Sequence, residues 1–192
     1  MKWILLIVLL VIGPYTFLRW HYRKPQPAFE PYHDIKDRAN TMRLVSAGFQ
    51  RVTLTLVQPA EPLRNISTAA ITPAPGGLPA ALSSTLVDQP ELPTEILSVT
   101  APAETNTLFE YTLEFTCAVD GNQEELGNAY LYAREEQIFI VPEMEPISGE
   151  LLTRSRENRV RLTVRAGAIK PGTYEVTLIG DRSSKAWSLV VK

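Results

Sequence analysis

Phe109-Glu-Tyr-Thr-Leu-Glu-Phe-Thr-Cys-Ala-Val119 decides the fold class of this chain. Phe109, Tyr111, Leu113, Phe115, Cys117 and Val119 alternate with Glu110, Thr112, Glu114, Thr116 and Ala118. Successive side chains of a strand point to opposite faces, so the run predicts a strand with one face on a core and one toward water. Asp120-Gly121 supplies the turn that follows. The same period recurs in Val52, Leu54 and Leu56, and again in Val160, Leu162 and Val164. Tyr174, Val176 and Leu178 repeat it, as do Trp187, Leu189 and Val191. Weaker strands are predicted over 96–100, 129–134 and 137–141. Seven or so short strands, each with one wet face, predict a mainly β domain built as an antiparallel β-sandwich.

The chain closes with Ile169-Lys-Pro-Gly-Thr-Tyr-Glu-Val-Thr-Leu178 and then Trp187-Ser-Leu-Val-Val-Lys192. The Pro171-Gly172-Thr173-Tyr174 turn, leading into the penultimate strand, resembles the closing hairpin of bacterial immunoglobulin-like modules. A similar ending occurs in extracytoplasmic tails of some membrane-anchored bacterial regulators. The resemblance covers about the last two dozen residues, and it implies an immunoglobulin-like β-sandwich; it implies a fold and nothing about activity.

The other end of the chain is different. Residues 3–18, Trp3 to Leu18, carry no charge, with Lys2 before them and Arg19 after. Sixteen residues of helix span about 24 Å, short of a hydrocarbon core of ~30 Å. Snorkelling by Lys2 and Arg19, and interfacial seating of Trp20 and Tyr22, make up the difference. Gly13-Pro14 predicts a kink. A cleaved signal peptide needs small residues after its apolar run, and Tyr15 to Trp20 supply none in that pattern. Residues 1–24 therefore read as an uncleaved signal-anchor, a transmembrane helix whose partner is the lipid bilayer through residues 3–18. Arg19, Arg23 and Lys24 outnumber Lys2, which by the positive-inside rule argues for a cytoplasmic domain. The apolar start reads instead as an export signal, so the preferred reading is a single-pass membrane protein with a periplasmic or extracellular domain.

Residues 25–48 read as a Pro-rich linker and a short juxtamembrane helix. Asp34 suits the N-cap and Gly48 the C′ position. Ile35, Ala39, Met42 and Val45 fall on one helical face, expected to pack on the following domain. Residues 49–192 make up that domain. Its stretch 58–95 holds many prolines and the pair Gly76-Gly77, and reads as a long, poorly ordered loop with one strand near 66–72.

The search for chemistry comes up short. A net charge of −2 gives no bulk attraction to nucleic acid. One cysteine, Cys117, cannot form an internal disulfide and belongs to the apolar face of its strand. Two histidines, His21 and His33, lack the neighbours a metal site needs. Glu124-Glu125 and Glu135-Glu136 are adjacent pairs, which a strand sends to opposite faces. No nucleophile–base pair, cofactor loop or metal set can be named, so no enzyme and no cofactor is expected. One basic row stands out: Arg159, Arg161 and Arg165 share the outward face of a strand, with Arg154 and Arg156 before them. They form a candidate patch for an anionic partner, and cross-strand charge pairing is the ordinary alternative. The expected function is a non-enzymatic binding domain for a protein or an envelope component. The alternative is an accessory or assembly subunit of a membrane complex.

Overall fold

The structure, a computed structural model, describes residue 15 and residues 31–63, 67–121, 123–147 and 155–192. The expected transmembrane segment, residues 3–18, lies outside the described residues but for Tyr15. Among the described residues no helix is long and apolar enough to cross a membrane. The chain divides into two compact units, Met1–Ile35 and Lys36–Lys192. The second unit is sheet-rich, as the alternating runs predict.

In chain order the elements are α1 (Pro31–Ser46), β1 (Gln50–Thr53), β2 (Thr55–Val57), β3 (Thr72–Pro75), α2 (Ala80–Ser83), β4 (Glu95–Thr100), β5 (Glu104–Thr105), β6 (Tyr111–Ala118), β7 (Glu124–Arg134), β8 (Gln137–Pro146), β9 (Glu157–Val164), β10 (Gly172–Leu178) and β11 (Ser183–Val191). The strands hydrogen-bond in the order β1-β7-β8-β10-β11-β4-β6-β9-β2. The first and last members of that path are one bent strand. β1 pairs antiparallel with β7, β2 pairs antiparallel with β9, and Leu54 alone separates them. Leu54 donates its N–H to Ala129 O at 2.9 Å and buries its side chain. The sheet thus closes on itself.

Most neighbours are antiparallel; β8–β10 and the β11 contacts with β4 and β5 are parallel. The pair β11–β4 meets at a single register position, Ser183 opposite Glu95. Ser67–Pro75 lies along this seam. Ala69 N–H bonds Ala101 O, Ala103 N–H bonds Ser67 O, and Thr72–Pro75 pairs with Ala186–Ser183. Pro73 and Pro75 are two apart, so both missing donors fall on one side of β3 and the ladder to β11 survives. Gly76 follows because a Cβ there would sit 2.3 Å from Asp181 O and Arg182 C.

The period-two runs build the main core. Leu113, Phe115 and Cys117 of β6, Val160, Leu162 and Val164 of β9, Val176 and Leu178 of β10, and Trp187, Leu189 and Val191 of β11 are all buried in one cluster. Trp187 Nε1 donates to Tyr111 Oη at 3.0 Å, and that hydroxyl reaches Pro102 O. The one indole N–H and the one phenol of this core are therefore satisfied, as buried polar groups must be.

A second cluster sits on the other face of β7–β8. Tyr132, Phe139 and Val141 meet Leu44 and Phe49 from the end of α1, Leu82 and Leu86 from the region of α2, and Ile179. Here the structure departs from the expected loop. The stretch 58–95 contributes β3, α2 and a side chain, Leu82, with no exposed surface. Its apolar residues are too widely spaced to show a period, yet Leu78, Leu82, Leu86 and Leu92 join the cluster on the outer face of β8 and Ala69 joins the main core.

α1 also departs from its expected orientation. Ile35, Met42 and Val45 are 62%, 73% and 69% exposed, while Leu44 is 1% exposed. The helix meets the sheet through Leu44 and Ala47 instead, and the 84–88 loop through Asn40. Asn40 Oδ1 accepts Val87 N–H at 2.7 Å, and Lys36 Nζ reaches Asp88 at 2.9 Å. The polar links sit on the inner face because the helix lies on the loop 84–88 as well as on the sheet. Asp34 falls inside the helix, not at its start. The C-terminal expectation fits: Gly48 has φ 79°, its N–H bonds Val45 O, and Phe49 N–H bonds Leu44 O. That is a Schellman ending, with Phe49 and Leu44 as its apolar contact.

Candidate functional site

The basic row leads to a cluster, but not to a free patch. Arg161 stands directly opposite Glu114 across β6–β9, and Arg159 lies two residues away on the same face. Arg161 Nε and Nη2 donate to Glu114 Oε1 at 2.9 and 2.6 Å, and Arg159 Nη2 donates to Oε2 at 2.8 Å. Burial pushes the Glu114 carboxyl up, but Arg161 and Arg159 outweigh it and hold it below the usual value. Arg161 Nη2 also donates to Glu61 O at 2.7 Å, so the row fixes the 61–63 turn over the sheet. Arg165 follows the end of β9, is exposed, and does not join this cluster. The partner of the row is thus a buried carboxylate on the neighbouring strand. The alternation rule puts Glu114 on a wet face, and its burial comes from the strand register that sets the arginines opposite it.

A second set of charges lies where α1 crosses β1 and β7. The Arg51 guanidinium sits 3.9 Å above the Tyr130 ring and donates from Nη1 to Asp37 at 2.6 Å. Its Nε is buried without an acceptor among the described residues. Tyr132 nearby is pushed up to about 12, mainly by burial. Glu143 is raised by burial and then by Glu145, whose carboxylate accepts from Asn128 Nδ2 at 2.6 Å. Among the described residues no nucleophile is placed beside this acid. The Arg51–Asp37 pair clamps the helix to the sheet.

Cys117 is fully buried, and its thiol is pushed up to about 11 by that burial. Such a thiol is an apolar core group, not a nucleophile. Among the described residues no three His, Cys, Asp or Glu side chains are placed to hold a metal ion. One cleft of about 510 Å³ is lined by Glu91, Asp120, Glu124 and Asp181. Asp120 at its rim is paired with Arg182 at 2.9 Å.

The surface that sequence reasoning missed is a turn. Phe109 was placed on the core face by alternation, but β6 begins only at Tyr111, and Phe109 is 70% exposed. Leu108 beside it is 78% exposed. Asn106 Oδ1 accepts Leu108 N–H at 2.9 Å, and Phe109 N–H bonds Asn106 O at 3.0 Å. An Asx turn therefore presents both apolar side chains at the end of the sheet. Asn106, three residues ahead of Phe109, was the sequence signal that the strand had not yet started. The outward face of α1, with Met42 and Val45, is another bare apolar surface among the described residues. The chain matches no family model, no curated protein and no solved structure.

Proposed function

We propose that this chain is a single-pass, membrane-anchored protein whose β domain is a non-enzymatic binding module for another protein or an envelope component. The observation that carries the reading is the Leu108–Phe109 turn. Two large apolar side chains, 78% and 70% exposed, are held there by hydrogen bonds. A fixed turn with adjacent bare Leu and Phe is the kind of anchor that fills a partner's pocket. The apolar run of residues 3–18 supports the anchor. The export-like start supports a periplasmic or extracellular placement, and a pair of C-terminal reporter fusions, each active in one compartment, tests it.

We also read the domain as an immunoglobulin-like sandwich. Two features support this: the closing β10–β11 hairpin, and the β4-β6-β9 order, which parallels the A-B-E strands of that fold. The parallel pairing of β8 with β10 is a departure from its antiparallel sheets.

The binding reading is tested with a photo-crosslinking residue at Phe109 of the full-length chain in its native membrane, and a second one at the exposed Ser98. The expected result is one discrete adduct at Phe109, lost in Leu108→Asp and absent at Ser98. Equal, diffuse labelling at both positions would overturn it.

A further inference from the structure

We propose that the outward face of α1, formed by Met42 and Val45 with Arg38, lies against the surface of a lipid bilayer. The proposal rests on the anchor reading above. At about 100° per residue, Arg38, Met42 and Val45 fall within about 60° of one another, and each lies about 140–160° from Asn40. Asn40 and Leu44 hold the opposite side to the domain. Met42 and Val45 are 73% and 69% exposed, although the helix has an apolar cluster available on its other side. Their exposure is fixed by the domain's own packing, because turning them inward would expel Leu44.

The chemistry of the face suits lipid. Arg38 is exposed within the apolar arc. Asp37, next to Arg38 in sequence, is taken by Arg51 at 2.6 Å. A bare apolar arc that carries an exposed arginine is the composition of a helix that lies in the headgroup layer, with the cation on an anionic lipid phosphate.

The arc is small, and its affinity as a free helix would be weak. Chain continuity supplies what area does not. Only residues 19–30 lie between the apolar run ending at Leu18 and the first residue of α1, Pro31. Twelve residues reach at most about 40 Å when fully extended. A helix tethered at that distance meets the bilayer at a high effective concentration, so a weak surface contact is populated.

The test uses the full chain reconstituted into vesicles of phosphatidylcholine and phosphatidylglycerol. A nitroxide is attached to Met42→Cys, and in a second sample to Ser98→Cys on the far wall. Flotation of the chain with the vesicles reports the anchor. Relative accessibility to oxygen and to a water-soluble nickel chelate reports the depth of each label. The expected result is flotation, with the Met42 label oxygen-rich and chelate-poor and the Ser98 label fully aqueous. Pure phosphatidylcholine should reduce the contrast. With the label at the exposed Ser46, Met42→Glu combined with Val45→Glu should return it to aqueous values while flotation persists. Flotation with an aqueous Met42 label would overturn the proposal and leave the anchor standing. Failure to float would remove both. Spin–spin broadening between Met42 labels would mean that a second copy, not lipid, covers the face, and would equally overturn it.

Discussion

Arg161 lies directly across the β6–β9 ladder from Glu114 and places two of its nitrogens on one carboxylate oxygen. Glu114→Gln keeps the shape and removes the charge. It should cost about 1–3 kcal/mol, toward the lower end because both arginines are partly in water. The pH dependence has a definite sign. A carboxyl held below its unfolded value stabilises the fold above that value, and the contribution is lost as pH falls through the folded value. Wild-type stability in urea should therefore drop on acidification below about pH 4 more steeply than that of Glu114→Gln. Parallel pH profiles would count against this role for Glu114.

Glu143 should behave in the opposite sense, because burial and Glu145 raise it. A carboxyl with a raised folded value favours the fold below its unfolded value and loses that contribution as pH rises through the folded one. Glu143→Gln should thus be more stable than wild type at neutral pH, with the difference closing in mild acid. The urea midpoints at the two pH values give the answer.

Gly48→Ala should destabilise the domain by about 1–2 kcal/mol, since the residue has φ 79° and an alanine is strained there. Gly48→Asn should cost less, because asparagine tolerates that region. Thermal unfolding of the two variants should rank them in that order.

Leu82→Ala should cost about 2–5 kcal/mol, as expected for a fully buried leucine. The size of this loss measures how firmly the stretch around α2 belongs to the domain. A loss well under 1 kcal/mol would return it to the status of a loose loop.

Cys117 should resist thiol reagents in the native protein and react at once in denaturant. Its thiol is buried and shifted up to about 11, so too little thiolate is present at neutral pH. Labelling followed by mass measurement, with and without urea, checks this.

The strands were legible because a two-sided environment writes itself into a period of two. Leu113, Leu162, Val176 and Leu189 each sit where alternation puts them. Alternation also counts a residue too many where a strand starts, as at Phe109, since the turn made by Asn106 is local polar chemistry that apolar spacing does not register. α1 misled for a different reason. Its longest apolar stripe, Ile35 to Val45, faces out, and Leu44, with Ala47 packed beside it, sets the inner face. Burial of one leucine against Phe49, Tyr132 and Phe139 outweighs a stripe that finds no partner on the sheet. Of the basic row, the spacing of Arg159 and Arg161 was readable, but their partner was not, because Glu114 is brought to them only by the register of strands more than forty residues apart.

The bend at Leu54 has a kinetic consequence. β1 and β2 are made early in synthesis, yet their partners are β7 and β9, and Val57 meets Arg161 about a hundred residues later. So distant a pairing is slow to form, because the loop-closure entropy is lost before the contact is gained. The earliest strand is then among the later ones to find its place, with β3, whose partner β11 is about as distant. Until it does, β7 and β9 both offer open rows of backbone donors and acceptors to any neighbouring chain. A lesion at this one corner would expose two edges at once, so aggregation during folding, more than loss of the finished fold, is where damage to Leu54 would first be felt.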